Sequence, residues 1–280
     1  MSQEDVDPAD LTRKQRREQA RTERKALEEA EAANAIRRKR LTLLGTVVAV
    51  VVAAIVVILV ATGGSSGKKT ISVGSTESTE ALAAVESTLK GTVQHANVLG
   101  NPNAPVTLQY FGDLECPVCK EFTLGALPQI IQKWVVPGKL KIEYRSLETA
   151  TREPEVFKTQ QVAALATGKQ NLMWWYVELF YHEQGEEDSG YVNEAYLDGI
   201  AKQVPGLNLT KWTSDRSDPS LAKQVENDAT VASNEGFNGT PSFLLGKTGG
   251  ASEKITEDTT ASLTEASAVF DPAIEKLLKS

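Results

Sequence analysis

Cysteine and histidine are scarce in this chain, with two of each in 280 residues. A structural zinc site takes four ligands. His95 and His182 stand at spacings from Cys116 and Cys119 that form no recognised set, so neither a metal centre nor a cofactor is expected. Basic residues are not in excess either: 30 Lys and Arg face 37 Asp and Glu, which gives nucleic acid no electrostatic footprint. No internal repeat is visible, and the length allows one good-sized globular domain plus something extra.

The extra part is a run without charge or proline, Leu41 to Ala61, LTLLGTVVAVVVAAIVVILVA. About twenty residues at about 1.5 Å each cover a hydrocarbon core of about 30 Å, so a transmembrane helix is expected at 41–61. Arg37, Arg38, Lys39 and Arg40 precede it, against only Lys68 and Lys69 soon after, which keeps the N-terminus inside and puts the bulk outside. A cleaved signal peptide is the competing reading. The apolar run is longer than a secretory one and follows a forty-residue charged tail, so a retained anchor is favoured. Either way the two cysteines reside where disulfides form.

Residues 1–40 read as a solvated, partly helical cytoplasmic tail; the basic cluster at 37–40 could also touch anionic lipid. GGSSGKKTISVGSTESTE (63–80) is rich in Gly, Ser and Thr, so 62–90 is expected to be a flexible linker with a short helix near 80–90. The folded domain is then 91–280. Val106–Phe111 and Leu140–Arg145 carry strand signals. Between them Val118, Phe122, Leu127, Ile130, Ile131 and Trp134 have helical spacing, with a kink expected at Pro128. Strand, helix and strand make a βαβ unit with a parallel pair. Helical texture fills about 152–236, strand signal returns at 242–245 with a partner near 253–256, and a last helix is expected at 272–279. Trp174, Trp175, Tyr176, Phe180 and Tyr181 read as core, with a peptide groove as the alternative.

Both cysteines lie in FGDLECPVCKEF (111–122). An inert staple is possible, but the chain-entropy gain falls with loop length and this loop is very short. A redox pair uses each residue better. Cys116 sits where a strand hands over to a helix, and Pro117 suits the first helical position because its missing N–H costs nothing there. The Cys116 sulfur then meets the positive helix end and its free N–H groups, which lower a thiol pKa and make it the nucleophile. Cys119, one turn on, is the resolving thiol. Stabilising the thiolate stabilises the dithiol, which makes the disulfide a stronger oxidant. Asp113 is expected to turn the chain into the helix, and Glu115 and Lys120 to be solvated.

VLGNPNAPVTLQYFGDLECPVCKEF (98–122) resembles the opening of DsbA-like thiol:disulfide interchange proteins of the thioredoxin superfamily, and FNGTPSF (237–243) resembles their Gly-Thr-Pro-x-Phe segment. The resemblance covers about 98–280. It implies a thioredoxin-like α/β fold with a helical insertion, here preceded by one transmembrane helix, and a cis peptide bond at Pro241 beside the cysteine pair. Thr240, just before it, would offer its backbone to an extended client strand. The resemblance further implies a monomeric extracytoplasmic enzyme that passes the Cys116–Cys119 disulfide to reduced exported proteins and is reoxidised by a DsbB- or VKOR-like membrane partner. A reductase or isomerase using the same residues, or a membrane-anchored redox-sensing module, remains open.

Two departures stand out. Many relatives carry a buried acid six residues before the first cysteine, where this chain has Tyr110. The histidine found between the cysteines of the most oxidising members is replaced by Pro117-Val118, so a less extreme oxidant is expected.

Overall fold

The computed structural model describes residues 71–255 and 264–280. Its first element, α1 (Thr76–Leu89), starts at Ser75, whose side chain accepts from the Ser78 N–H at 3.2 Å, an N-cap bond. Ala81, Val85 and Leu89 recur every four residues and are buried in the main core with Ile71. That corrects the linker expected at 62–90 over its described part, 71–90; residues 62–70 lie outside the described residues. Residues 71–89 belong to the folded domain: Thr76, Glu77, Thr79 and Glu80, which suggest a tether, lie on the outer face of a helix whose inner stripe is Ser78, Ala81, Val85 and Leu89. The expected transmembrane segment 41–61 lies outside the described residues. Among the described residues, no helix is long and apolar enough to cross a membrane.

Two short strands that the sequence did not signal follow, β1 (Gln94–His95) and β2 (Val98–Leu99). The expected βαβ unit is present. β3 (Val106–Gly112) and β4 (Leu140–Ser146) pair in parallel with Val106 opposite Leu140, as strands joined by a helical crossover must. The crossover is α2 (Pro117–Leu124), α3 (Ala126–Ile130) and a π-helical turn at Ile131–Val135. The break falls at Gly125 rather than Pro128, which sits within the first turn of α3, where proline is tolerated. β5 (Ser242–Lys247) runs antiparallel to β3, and β6 (Ser252–Lys254) closes the hairpin. The sheet order is β1-β2-β4-β3-β5-β6, with β3 central.

Between β4 and β5 comes the helical insertion: α4 (Pro154–Gly168), α5 (Met173–His182), α6 (Glu194–Gln203), α7 (Leu209–Asp215) and α8 (Pro219–Asn234). Trp174, Tyr176, Phe180 and Tyr181 of α5 are buried in the main core, so they form no open groove. The last helix, α9 (Ala266–Lys279), begins six residues before its expected start and carries Pro272 inside it. β3 alternates, with Thr107 and Gln109 half-buried on the face opposite the main core. Val106, Leu108 and Tyr110 join the main core, while Phe111 meets Leu147, Ala232 and Leu244 in a second cluster under α8.

Candidate active site

Gly112 ends β3, and a Cβ there would fall 3.0 Å from the Tyr144 ring and 3.2 Å from Tyr110 Cζ. A side chain there would make the Tyr144 and Tyr110 rings shift by a few tenths of an ångström, so glycine fits the close passage of the chain out of the sheet. Asp113 follows, fully buried, and its carboxylate accepts five hydrogen bonds. Oδ2 takes the N–H groups of Thr149, Ala150 and Thr151 at 3.0, 2.9 and 2.9 Å. Oδ1 takes the Thr151 hydroxyl at 2.6 Å and the Glu115 N–H at 3.1 Å. Asp113 therefore does more than turn the chain. It joins the Cys116 turn to the loop after β4, an arrangement that satisfies a buried charge with donors alone.

Cys116 is the N-cap of α2 in extended backbone geometry, Pro117 is its first residue, and Lys120 N–H closes on the Cys116 carbonyl at 3.2 Å. Gln184, just past α5, ties the turn from the other side: its Nε2 donates to Leu114 O at 2.8 Å and Cys116 O at 3.1 Å. The two cysteines are not bonded to each other, so this is the dithiol form. Cys116 is 5% exposed and Cys119 is fully buried.

Their environments push the two thiols apart. Cys116 is lowered to about 6, first by the hydrogen bond from the Cys119 thiol, against the opposing cost of burial, and then by Thr240 and the N–H groups of Cys119 and Val118. Cys119 is pushed up, chiefly by burial and then by its hydrogen bond to Cys116. A barely exposed sulfur of lowered pKa beside a fully buried sulfur of raised pKa is the asymmetry a thiol exchange pair requires.

The wall opposite is the segment before β5. The Thr240–Pro241 peptide bond is cis, and the Cys116 thiol donates to the Thr240 carbonyl oxygen at 3.4 Å. Phe243 of β5 packs on Phe122 of α2 with ring centres 4.7 Å apart. The structure thus brings together Cys116, Pro117, Cys119, Thr240 and Pro241 from two segments about 120 residues apart. Below Cys119, Tyr110 is fully buried. Its hydroxyl donates to Tyr181 Oη and shares a hydrogen bond with Thr123 Oγ1, both at 3.3 Å, and Tyr181 donates on to Asp113 O at 3.1 Å. Hydroxyls occupy the place where an acid was expected.

Two further residues depart from the sequence reading. Glu115 is buried, not solvated, and its carboxyl is raised to about 7 by burial and by the charges of Asp113, Asp188 and Glu187. Thr149, which carried no local signal, bonds Thr240 through their hydroxyls at 2.5 Å. Among the described residues, no group of three or more His, Cys, Asp or Glu could hold a metal ion. Hollows of about 490 and 500 Å³ lie between α4 and α8 and between β6 and α9, away from the two sulfurs.

The family model described as Thioredoxin matches residues 92–265. A protein described as probable disulfide bond formation protein D of Bacillus cereus is 19% identical over 147 residues, covering 52% of this chain and 68% of its own. Disulfide bond formation protein D of Bacillus subtilis is 25% identical over 153 residues, covering 53% and 66%. The crystal structure of oxidised BdbD from Bacillus subtilis shares the fold, with a TM-score of 0.55 at 21% identity over 68% of this chain and the whole of the other. A crystal structure of DsbA from Chlamydia trachomatis has a TM-score of 0.52 at 16% identity, over 65% and 91%.

Proposed function

The chain belongs to the thioredoxin family, and from that premise we propose that it is a DsbA-like protein thiol:disulfide oxidoreductase that transfers disulfides to exported proteins through Cys116 and Cys119. The observation that carries this reading is the split between the two thiols across one turn of α2, with Thr240 facing the outer one. A client thiolate attacks Cys116 Sγ of the oxidised pair. A client–Cys116 disulfide forms, the Cys116–Cys119 bond breaks, and Cys119 leaves as a thiolate that takes up a proton. A second client thiolate then attacks the client sulfur of the mixed disulfide. Cys116 leaves with the electron pair, and its lowered pKa makes it a good leaving group. The client has lost two electrons and gained a disulfide; the enzyme is now the dithiol.

The dithiol returns to the disulfide by giving its two electrons to a reoxidant, for which we propose a quinone-linked membrane protein of the DsbB or VKOR kind. An anchor at 41–61, with 1–40 inside and the catalytic domain outside, would hold the domain beside such a partner. The basic cluster before the apolar run supports that orientation, and the export of the domain is part of the same proposal.

The test is turnover. Oxidised full-length protein in detergent, supplied with oxidised glutathione, should refold a reduced disulfide-containing protein through many cycles per enzyme. Single-use, stoichiometric oxidation would instead favour a sensing module. Cys119→Ala should trap clients on Cys116 in cells, and an absence of adducts would count against exchange at this site. Carbonate-resistant membrane association together with digestion by external protease would fit the proposed topology, and a soluble or protected domain would overturn it.

A further inference from the structure

Thr149 is exposed, yet its main chain is among the most firmly held in the site. Its N–H donates to Asp113 Oδ2 at 3.0 Å, and the next two N–H groups bind the same oxygen. The other oxygen of that carboxylate holds the Glu115 N–H, so one buried group fixes both the approach to Cys116 and the backbone of Thr149. From this anchored backbone the Thr149 hydroxyl reaches the Thr240 hydroxyl at 2.5 Å. Thr240 faces Cys116: its carbonyl accepts from the Cys116 thiol at 3.4 Å, and its side chain favours the thiolate at both cysteines.

A hydroxyl has one proton to donate. If Thr240 gives that proton to Thr149, only lone pairs face the sulfurs, which suits a thiol and opposes a thiolate. If Thr149 donates instead, the Thr240 O–H is free to point at sulfur, polarised by the bond it accepts. Thr149 also limits side-chain rotation at Thr240, where a turn about χ1 would swap hydroxyl for methyl. We propose that Thr149 is a positioning residue of the exchange site, whose hydroxyl donates to Thr240 Oγ1 and so presents the Thr240 proton to the Cys116 thiolate. Exposure of Thr149 is part of the device, because its oxygen can accept from solvent while its proton serves Thr240. The inference rests on the proposed exchange function only in naming what the thiolate is for.

The experiment reads the pair itself, so it stands apart from the turnover test. In full-length protein, Thr149→Val keeps the side-chain shape and removes the hydroxyl. It should lower the acid dissociation constant of the Cys116 thiol about twofold, the low end of what one hydrogen bond contributes, taking the thiolate fraction at pH 6 from about one half to about 0.3. The equilibrium with glutathione should move toward the protein disulfide by a similar factor, since a less stabilised thiolate makes the dithiol less favoured. Thr149→Ser should restore both readings. Thr240→Val should have at least as large an effect, and adding Thr149→Val to it should change nothing more, because the two hydroxyls act as one unit. An unchanged Cys116 titration in Thr149→Val, failure of Ser to rescue, or additive effects in the double variant would each overturn the proposal. A Thr149→Val protein that loses thermal stability with its titration unaltered would make Thr149 structural only.

Discussion

At the scale of single residues, the site turns on how much the Cys116 environment stabilises a thiolate. Lowering a thiol from an ordinary 9.0 to about 6 stabilises the dithiol at pH 7 by no more than about 1.4 kcal/mol, since only about one unit separates pH 7 from the folded pKa. For a two-electron couple it corresponds to about 30 mV, a modest gain in oxidising power, in keeping with Pro117-Val118 standing where the most oxidising relatives have a histidine. The direct check is alkylation of the dithiol by iodoacetamide across pH 4–9. The rate at Cys116 should rise through a midpoint near 6 while Cys119 stays unmodified, and a midpoint near 9 would remove the basis for the assigned roles. Cys116, Pro117, Cys119, Thr240 and Pro241 could be located from sequence because two local motifs carry them. Glu115 and Thr149 could not. The charges that raise Glu115 come partly from 187 and 188, and the partner of Thr149 is at 240, so no window of neighbouring residues contains the cause.

At the scale of elements, α1 changes the boundary of the domain. The matched family region begins at 92, after this helix, yet Leu89 is only 4% exposed and Val85 is fully buried. Leu89→Ala in the full chain should therefore cost about 2–4 kcal/mol in urea unfolding of the catalytic domain. A flexible tether predicts a change within about 0.5 kcal/mol, so the two readings are well separated. The helix was partly legible: its C-terminal half is rich in Ala, Leu and Val, while Ser and Thr at 75–80 resemble linker composition until Ser75 is seen to act as a cap. The βαβ core was legible because strand alternation and helical spacing both persist over many residues. β1 and β2 were not, since two-residue strands have no period to read; they exist by pairing, Leu99 with Ile142 and Gln94 with Leu99. The break in the crossover was misplaced for a related reason. Proline disrupts a helix interior but not its first turn, and only the structure shows that α3 starts at Ala126, beyond the break at Gly125.

At the scale of the whole molecule, the shifted groups give the dithiol and disulfide forms different responses to pH. Glu178 is fully buried, neither carboxylate oxygen has a hydrogen-bond partner, and burial raises its pKa to about 8; Glu115 is raised to about 7. A carboxyl whose folded pKa exceeds its unfolded value of 4.5 binds its proton more tightly in the native state. Its contribution is fully present below about pH 4.5 and is lost as pH rises through 7 and 8. Cys116 has the opposite sign: its folded pKa is below the unfolded one, so the dithiol gains stability as pH rises from about 6 to 9. Cys119, raised above 9, takes stability away beyond that range. Forming the disulfide removes both sulfur contributions and leaves the carboxyls untouched. The melting temperature of the dithiol form, measured relative to the disulfide form, should therefore climb between pH 6 and 9 and then flatten or fall, while both forms share a decline set by Glu178 and Glu115. Glu178→Gln isolates that shared part. Relative to the parent, its stability should rise with pH between about 5 and 8, by up to about 4 kcal/mol for a shift of this size, and by the same amount in both redox forms. A pH-independent effect of Glu178→Gln would mean that the carboxyl binds its proton equally in the folded and unfolded states over this range, so that its pKa is not raised, and the decline would then have to come from Glu115.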